Sequence, residues 1–183
     1  MKFILCALLF TSSFSLFAQE NPAHAEKVMY AAYNQAAAEN KSVLLMFHAS
    51  WCGWCKKMDA SLNDESIKKY ITDNFIITHL TVDERGDKLP WNNPGADDLR
   101  KTFHAETAGL PFWVILDRKG SVLADSYTRK PGQTMNEPGQ NIGCPASEVE
   151  VQAFITALRK TTSLNETALT AIYSRFRKNE VSR

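Results

Sequence analysis

The chain has 183 residues, enough for one domain with room for a leader and terminal extensions. Its composition, 44% hydrophobic and 22% charged, is that of an ordinary soluble globular protein. The net charge of +1 gives no electrostatic basis for a nucleic-acid partner or for binding to an anionic membrane surface.

The first residues have the layout of a secretory signal peptide. Lys2 supplies a positive charge, a mostly apolar stretch over residues 3–17 follows, and Ala18 offers a small residue for cleavage. This stretch is short for spanning a bilayer, which argues against a membrane anchor. We therefore expect residues 1–18 to be removed, and the mature protein to be periplasmic or secreted. No later stretch approaches the roughly 18 consecutive apolar residues of a membrane helix, so no membrane span is expected after cleavage.

The first half of the mature chain is predicted to alternate between helix and strand. An Ala-rich run from Asn21 to Glu39, with apolar residues at helical spacing, predicts a helix. The continuous apolar run at residues 43–47 predicts a central strand that is covered on both faces. The cysteine motif directly after this strand is expected to open a second helix. A third helix is predicted around residues 67–71, and a second strand over residues 75–82.

The second half begins with a polar segment, residues 84–95, which we interpret as a loop before a short helix at about residues 97–103. Strands are predicted at residues 112–116 and 121–126, and the turn sequence between them predicts an antiparallel hairpin. Residues 127–145 are rich in Pro, Gly, Asn and Gln and predict an inserted loop.

Two capping boxes near the end of the chain predict the starts of two amphipathic helices. They are Ser147-x-x-Glu150 and Ser163-x-x-Glu166, each followed by apolar residues at helical spacing. The complete order of elements predicts an α/β fold with a mixed central sheet and helices on both of its faces.

Two cysteines three residues apart, Cys52 and Cys55, are the strongest chemical signal. Loss of the leader would leave them with Cys144, and an odd number of cysteines favours redox chemistry over a disulfide scaffold. At the start of a helix, free N–H groups and the helix dipole stabilise a thiolate at the first cysteine, and Lys56 is a further candidate for this role. In this scheme Cys52 attacks a target disulfide and Cys55 resolves the mixed disulfide.

Other uses of the cysteine pair have weaker support. A structural zinc site needs two more ligands, and the remaining candidates, Cys144 and the four histidines, are scattered along the chain without a second pair. No bound metal is therefore expected. An inert structural disulfide is weaker still, because a three-residue loop constrains the unfolded chain very little.

Together with its surroundings, the motif resembles the thioredoxin family over about residues 41–160. The resemblance rests on Trp51-Cys52-Gly53-x-Cys55-Lys56 after the apolar strand, Val82-Asp83 at the end of the middle strand, and Gly109-Leu110-Pro111 before the strand at residues 112–116. It implies a thioredoxin-like three-layer sandwich with additional N- and C-terminal helices. The domain would span residues 19–162 with a loop insertion at about residues 127–146, and residues 163–183 would form a C-terminal helical extension.

The same resemblance implies roles for individual residues. Cys52 would be the nucleophile and Cys55 the resolving thiol. A cis Pro111 would expose the backbone of Leu110 for pairing with an extended substrate segment, whereas a trans proline at the start of a strand is the alternative. The residues implied to border the sulfurs and contact substrate are Trp51, Gly53 and Trp54.

The sequence also departs from the thioredoxin pattern. Trp54 replaces the proline that thioredoxin has between its cysteines, and this dipeptide influences the redox potential. Met46 stands where thioredoxin has a buried aspartate that handles the proton of the resolving thiol. His79 aligns with a buried lysine of the family, and it either replaces the lost proton relay or is an ordinary strand histidine. Cys144, in the inserted loop, is either a third redox thiol or a small, partly buried loop residue.

The expected function is thiol–disulfide exchange with protein thiols and disulfides, through Cys52 and Cys55 and without a bound cofactor. The family resemblance favours a reductase over an oxidase, and outside the cytosol a reductase requires a membrane electron donor. The alternative is a non-catalytic binding module that holds a client protein or a copper or zinc ion, with the insertion and the last helix as its partner surface.

Overall fold

The computed structural model describes residues 21–180, so the predicted signal peptide at residues 1–18 lies outside the described residues. The helices are α1 (Ala25–Glu39), α2 (Gly53–Leu62), α3 (Lys68–Thr72), α4 (Ala96–Thr102), α5 (Glu148–Thr161) and α6 (Glu166–Arg177). The strands are β1 (Ser42–His48), β2 (Phe75–Thr81), β3 (Phe112–Leu116), β4 (Val122–Asp125), β5 (Tyr127–Thr128) and β6 (Gln140–Asn141). None of the helices between residues 21 and 180 has both the length and the apolar character that crossing a bilayer requires.

Four of the strands form one mixed sheet in the order β2-β1-β3-β4. β1 pairs in parallel with β2, whereas β3 is antiparallel to both β1 and β4. The two central strands are buried along almost their whole length, which explains their continuous apolar sequences. The hairpin between β3 and β4 and the parallel pairing across α2 and α3 place the ends of β1 and β2 and the start of β3 at one edge of the sheet.

The side chains of β1 alternate between two hydrophobic clusters, because successive residues of a strand point to opposite faces. Val43, Leu45 and Phe47 pack with α1 and α4 on one face. Leu44 and Met46 pack with α2, α3, α5 and α6 on the other. The predicted mixed sheet with helices on both faces is therefore confirmed, as are the additional N- and C-terminal helices.

Both segments that were interpreted as loops contain short regular elements. Residues 84–95 include a 3₁₀ helix, Gly86–Trp91, and residues 127–145 include the two-stranded sheet of β5 and β6. Elements of two to six residues are too short to display a hydrophobic period, so composition alone could not reveal them.

The predicted start of the last helix was wrong, whereas that of α5 is confirmed. Ser147 and Glu150 form the full capping box of α5. In α6 the N-cap is Asn165, whose side chain accepts a hydrogen bond from the backbone N–H of Ala168. Asparagine caps helices as well as serine does, so the Ser163 pattern was matched two residues too early.

Candidate functional site

The cysteine pair lies at one end of the central strands, where β1 has just ended and α2 begins. Cys52 and Cys55 form a disulfide with a Cα–Cα distance of 5.3 Å. Cys52 is the N-cap of α2, and its Sγ accepts a hydrogen bond from the backbone N–H of Cys55 at 3.0 Å. The first turn of α2 contains no acidic residue. A thiolate at Cys52 would therefore face a free N–H group and the positive end of the helix dipole.

The disulfide is shielded, whereas the residues beside it are exposed. Cys52 and Cys55 are only 4% and 1% exposed, and they pack against Ala49. In contrast, Trp51 and Trp54 are 47% and 45% exposed. Gly53, between the cysteines, is also exposed, with nothing near the position that a β-carbon would occupy. Exposed aromatic rings therefore border the buried sulfurs.

The segment before β3, residues 109–111, also lies beside the disulfide. The Leu110–Pro111 peptide bond is cis, and the half-buried Leu110 side chain packs against the disulfide cluster. Asn141, from β6, donates through Nδ2 to the carbonyl oxygens of Gly109 at 2.6 Å and Pro111 at 3.2 Å. Within residues 21–180, the backbone N–H and C=O of Leu110 itself have no hydrogen-bond partner. These two groups are available to an extended segment of another chain.

A buried carboxylate holds the loop that leads into the cysteine pair, and the sequence did not reveal it. Glu84 is 3% exposed and accepts hydrogen bonds from the backbone N–H and the hydroxyl of Ser50. The indole Nε1 of Trp51 donates to the carbonyl oxygen of Asp83 at 2.7 Å. The two residues before Cys52 are thus hydrogen-bonded to the segment that follows β2. The sequence showed this region only as a polar segment after Val82.

His79 has a hydrogen-bond partner on the helix that carries the cysteines. Its Nε2 lies 2.9 Å from Oδ1 of Asp59, and Asp59 is one helical turn after Cys55. Met46 is the β1 residue paired with His79 across the sheet. The His48 ring lies 5.0 Å from that of His79. Burial, and next the nearby His79, lower the pKa of His48, which favours its uncharged form.

Cys144 lies apart from the disulfide as a free, buried thiol. It accepts a weak hydrogen bond from Nδ2 of Asn179 at 3.5 Å, and burial raises its pKa to about 12. Because only the thiolate is nucleophilic, such a thiol is inert at neutral pH. This environment favours the packing interpretation of Cys144.

The lysines next to the disulfide differ in their contacts. Lys56 is exposed, and within residues 21–180 its side chain forms no ion pair or hydrogen bond. Lys57 lies over the Trp54 ring, with its Nζ 4.4 Å from the ring centroid, and it donates one hydrogen bond to the carbonyl oxygen of Asn179 at 3.3 Å. No cluster of three or more His, Cys, Asp or Glu side chains suited to a metal ion occurs in the described part of the chain.

Comparisons of the sequence with known proteins identify a family. The sequence model of a family described as thioredoxin-like matches residues 25–118. A stretch of 62 residues, 32% of the chain, is 36% identical to a protein disulfide-isomerase from Drosophila melanogaster, and it spans only 12% of that protein's length.

Solved structures with a similar chain path include two bacterial proteins. A disulphide isomerase from Xylella fastidiosa Temecula1 is 19% identical with a TM-score of 0.47, over 93% of this chain and 98% of that one. The C-terminal domain of Neisseria meningitidis DsbD in the oxidised form is 18% identical with a TM-score of 0.44, over 78% and 100%.

Proposed function

The chain belongs to the thioredoxin-like family, and from this membership and the site geometry we propose that it is a thiol–disulfide oxidoreductase acting on protein cysteines. The observation that carries the proposal is the Cys52–Cys55 disulfide at the start of α2, with a backbone N–H group directed at Cys52 Sγ. That donor stabilises the thiolate form, which is the attacking species in disulfide exchange.

Exchange proceeds in two balanced steps. In the reduced protein, the Cys52 thiolate attacks one sulfur of a client disulfide, a new bond to Cys52 forms, and the other client sulfur leaves as a thiolate. The Cys55 thiolate then attacks Cys52 Sγ, closes the Cys52–Cys55 disulfide and releases the second client sulfur. Two electrons pass from the protein dithiol to the client disulfide, and the reverse sequence oxidises a client dithiol.

The client segment would bind as an added strand beside Leu110. The N–H and C=O groups of Leu110, which have no hydrogen-bond partner among residues 21–180, suit main-chain pairing with an extended peptide. The exposed rings of Trp51 and Trp54 supply apolar contact area on either side of the sulfurs, and Gly53 between them leaves room for the client backbone.

We further propose that the protein acts as a reductase in the periplasm or as a secreted protein. The proposal of export is based on the leader-like pattern of residues 1–18. In such a compartment the oxidised protein must be reduced again, and a membrane dithiol donor would supply the two electrons.

The reduction potential of the Cys52–Cys55 couple tests this function. The chain from residue 19 onward would be equilibrated with glutathione buffers, with Cys144→Ala as a control for the third thiol. A reversible couple near about −270 mV, as in thioredoxin, supports a reductase, whereas a value near about −120 mV supports disulfide donation. If no reversible couple is found, the binding-module alternative replaces the catalytic proposal.

We expect the Asp59–His79 pair to take up the proton of Cys55 when this thiol attacks Cys52. The pair lies one turn along α2 from Cys55, on the same side of the helix, and an imidazole ring can both accept and release a proton. His79→Gln should slow the resolving step about tenfold at pH 7, less than the loss of a base in direct contact. The slowing should lessen as the pH rises, because hydroxide can then remove the thiol proton directly.

Asp59→Asn is the matched variant for this prediction. If the two residues act as a pair, Asp59→Asn should produce the same pH profile, and the double variant should be no slower than either single variant. The measurement is the rate of the resolving step from pH 6 to pH 10. Slowing by a constant factor over this range would assign His79 a purely structural role, and an unchanged rate would make it an ordinary strand histidine.

A further inference from the structure

A cation lies over each of the two tryptophans beside the disulfide. The Arg85 guanidinium carbon is 4.4 Å from the ring centroid of Trp51, and Lys57 Nζ is 4.4 Å from that of Trp54. Trp51 directly precedes Cys52, and Trp54 directly precedes Cys55. A surface that contacts the disulfide therefore meets an aromatic ring and a positive charge on both sides.

Lys88 adds a third cation at the same place. Its Nζ donates to the Ser50 hydroxyl at 3.1 Å and lies 4.8 Å from the ring centroid of Trp91. We call the five residues Trp51, Trp54, Lys57, Arg85 and Lys88 the disulfide rim.

Within residues 21–180, the three rim cations form no ion pair with a carboxylate. Arg85 is also the only arginine of this part of the chain with neither an ion pair nor a side-chain hydrogen bond. Stacking on an aromatic ring leaves the planar N–H donors of an arginine free for a carboxylate.

The carboxylates of the neighbouring segment, residues 83–91, form no ion pair with these cations. Asp83 is held by two hydrogen bonds from Arg100, at 2.7 and 3.1 Å, and Glu84 is buried and bound by Ser50. Asp87 is the exposed carboxylate that remains between residues 83 and 91. The positive charge around the disulfide therefore exceeds the accessible negative charge.

We propose that the disulfide rim selects client segments with acidic residues on both sides of the reacting cysteine. The proposal rests on the proposed exchange function and adds the chemical class of its substrate. Carboxylates of the client would pair with Arg85 and Lys88 on one side and with Lys57 on the other, while its apolar groups contact the two tryptophans. Opposite charges also accelerate encounter with such a client.

Three peptides that differ only in charge test the selection. Each contains one cysteine, flanked on both sides by Asp, by Asn or by Lys, and joined as a mixed disulfide to the uncharged thiol 2-mercaptoethanol. The reduced protein consumes this disulfide, and the rate with the Asp peptide is divided by the rate with the Asn peptide. Because this ratio is compared between protein variants, the intrinsic reactivity of each peptide cancels.

We expect the double variant R85Q/K88Q to lower this ratio about fivefold, since an exposed ion pair changes a binding equilibrium by a factor of up to about five. The matched control K119Q, an exposed lysine in the β3–β4 turn at the opposite end of the sheet, should keep the wild-type ratio. The charge reversal R85E/K88E should make the Lys peptide the faster one. Salt at about 1 M, with a screening length of about 3 Å, should lower the wild-type ratio to about that of R85Q/K88Q.

Two results would overturn the selection while leaving the exchange function in place. One is an Asp-to-Asn rate ratio that R85Q/K88Q leaves at the wild-type value, and the other is an Asp-to-Lys rate ratio that R85E/K88E leaves at the wild-type value. If the wild-type protein fails to consume even the uncharged Asn peptide, the proposed exchange function fails, and the selection fails with it.

Discussion

Replacing Cys52 by serine is expected to lower the rate of disulfide exchange by about 1,000-fold or more, equivalent to about 4 kcal/mol in the activation free energy. A serine hydroxyl cannot form the mixed disulfide, and it stays protonated at a helix start that would ionise a thiol. Replacing Cys55 by serine should leave the first attack intact but remove the resolving thiol. A client should then remain bound to Cys52 as a stable mixed disulfide. Both effects are measured by exchange kinetics and by non-reducing gels.

Cys144→Ser is the matched control for these variants, because it removes a cysteine that is buried and has a raised pKa. It should leave both the exchange rate and the trapping unchanged. Trapping of a client by the Cys52→Ser variant through Cys144 would contradict the assignment of Cys52 as the nucleophile. A client that binds Cys52→Ser and wild type equally, with no turnover by either, would support the binding-module alternative.

The parts of the site that could be predicted are local in sequence. Cys52 and Cys55 are three residues apart and follow an apolar strand, so one short segment contains the strand, the helix start and both sulfurs. The buried strands were also predictable, because an unbroken apolar run identifies a strand covered on both faces. Such patterns depend on neighbouring residues and not on how distant segments meet.

The residues that hold the segments beside the disulfide, Glu84 and Asn141, could not be predicted because their partners are distant in sequence. Glu84 binds Ser50 from 34 residues away, and Asn141 binds Gly109 from 32 residues away. Each is a polar residue in a segment without hydrophobic periodicity, so the sequence showed only a loop. Their importance follows from hydrogen bonds to the backbone or side chains beside the disulfide, which only the tertiary structure reveals.

Residues 127–146, which the sequence predicts to be an insertion, border the cysteine site. Asn141 holds the two carbonyl groups around Leu110, and the Gly143 carbonyl accepts a hydrogen bond from the Trp113 indole at 2.9 Å. At its other end, the buried pair of Arg129 and Asp125 connects the insertion to the end of β4. Residues 127–146 are therefore bound to the cis-proline segment and to β3 and β4.

The last helix is joined to this site through a row of aromatic rings. Phe176 on α6 lies 4.9 Å from Phe154 on α5, and Phe154 lies 5.3 Å from Trp113 on β3 (ring centroids). Asn179, just after α6, is buried and hydrogen-bonds to Ser61 on α2. The apolar stripe of α6 is thus part of the domain core, which leaves little of it for a partner.

Phe176→Ala is expected to lower the free energy of unfolding by about 3–5 kcal/mol, because the side chain is fully buried and its removal leaves a cavity. For a domain of this size, the melting temperature should fall on the order of 10 °C. Urea denaturation and thermal melting measure the two quantities.

Ser174→Ala, an exposed position on the same helix, is the matched control and should change stability by less than about 0.5 kcal/mol. If Phe176→Ala were no more destabilising than Ser174→Ala, the stripe of α6 would not be packed in solution. The last helix would then be free to bind a partner, as the binding-module alternative requires. A large loss confined to Phe176→Ala instead makes α6 a structural support for the strand that leads from the disulfide site.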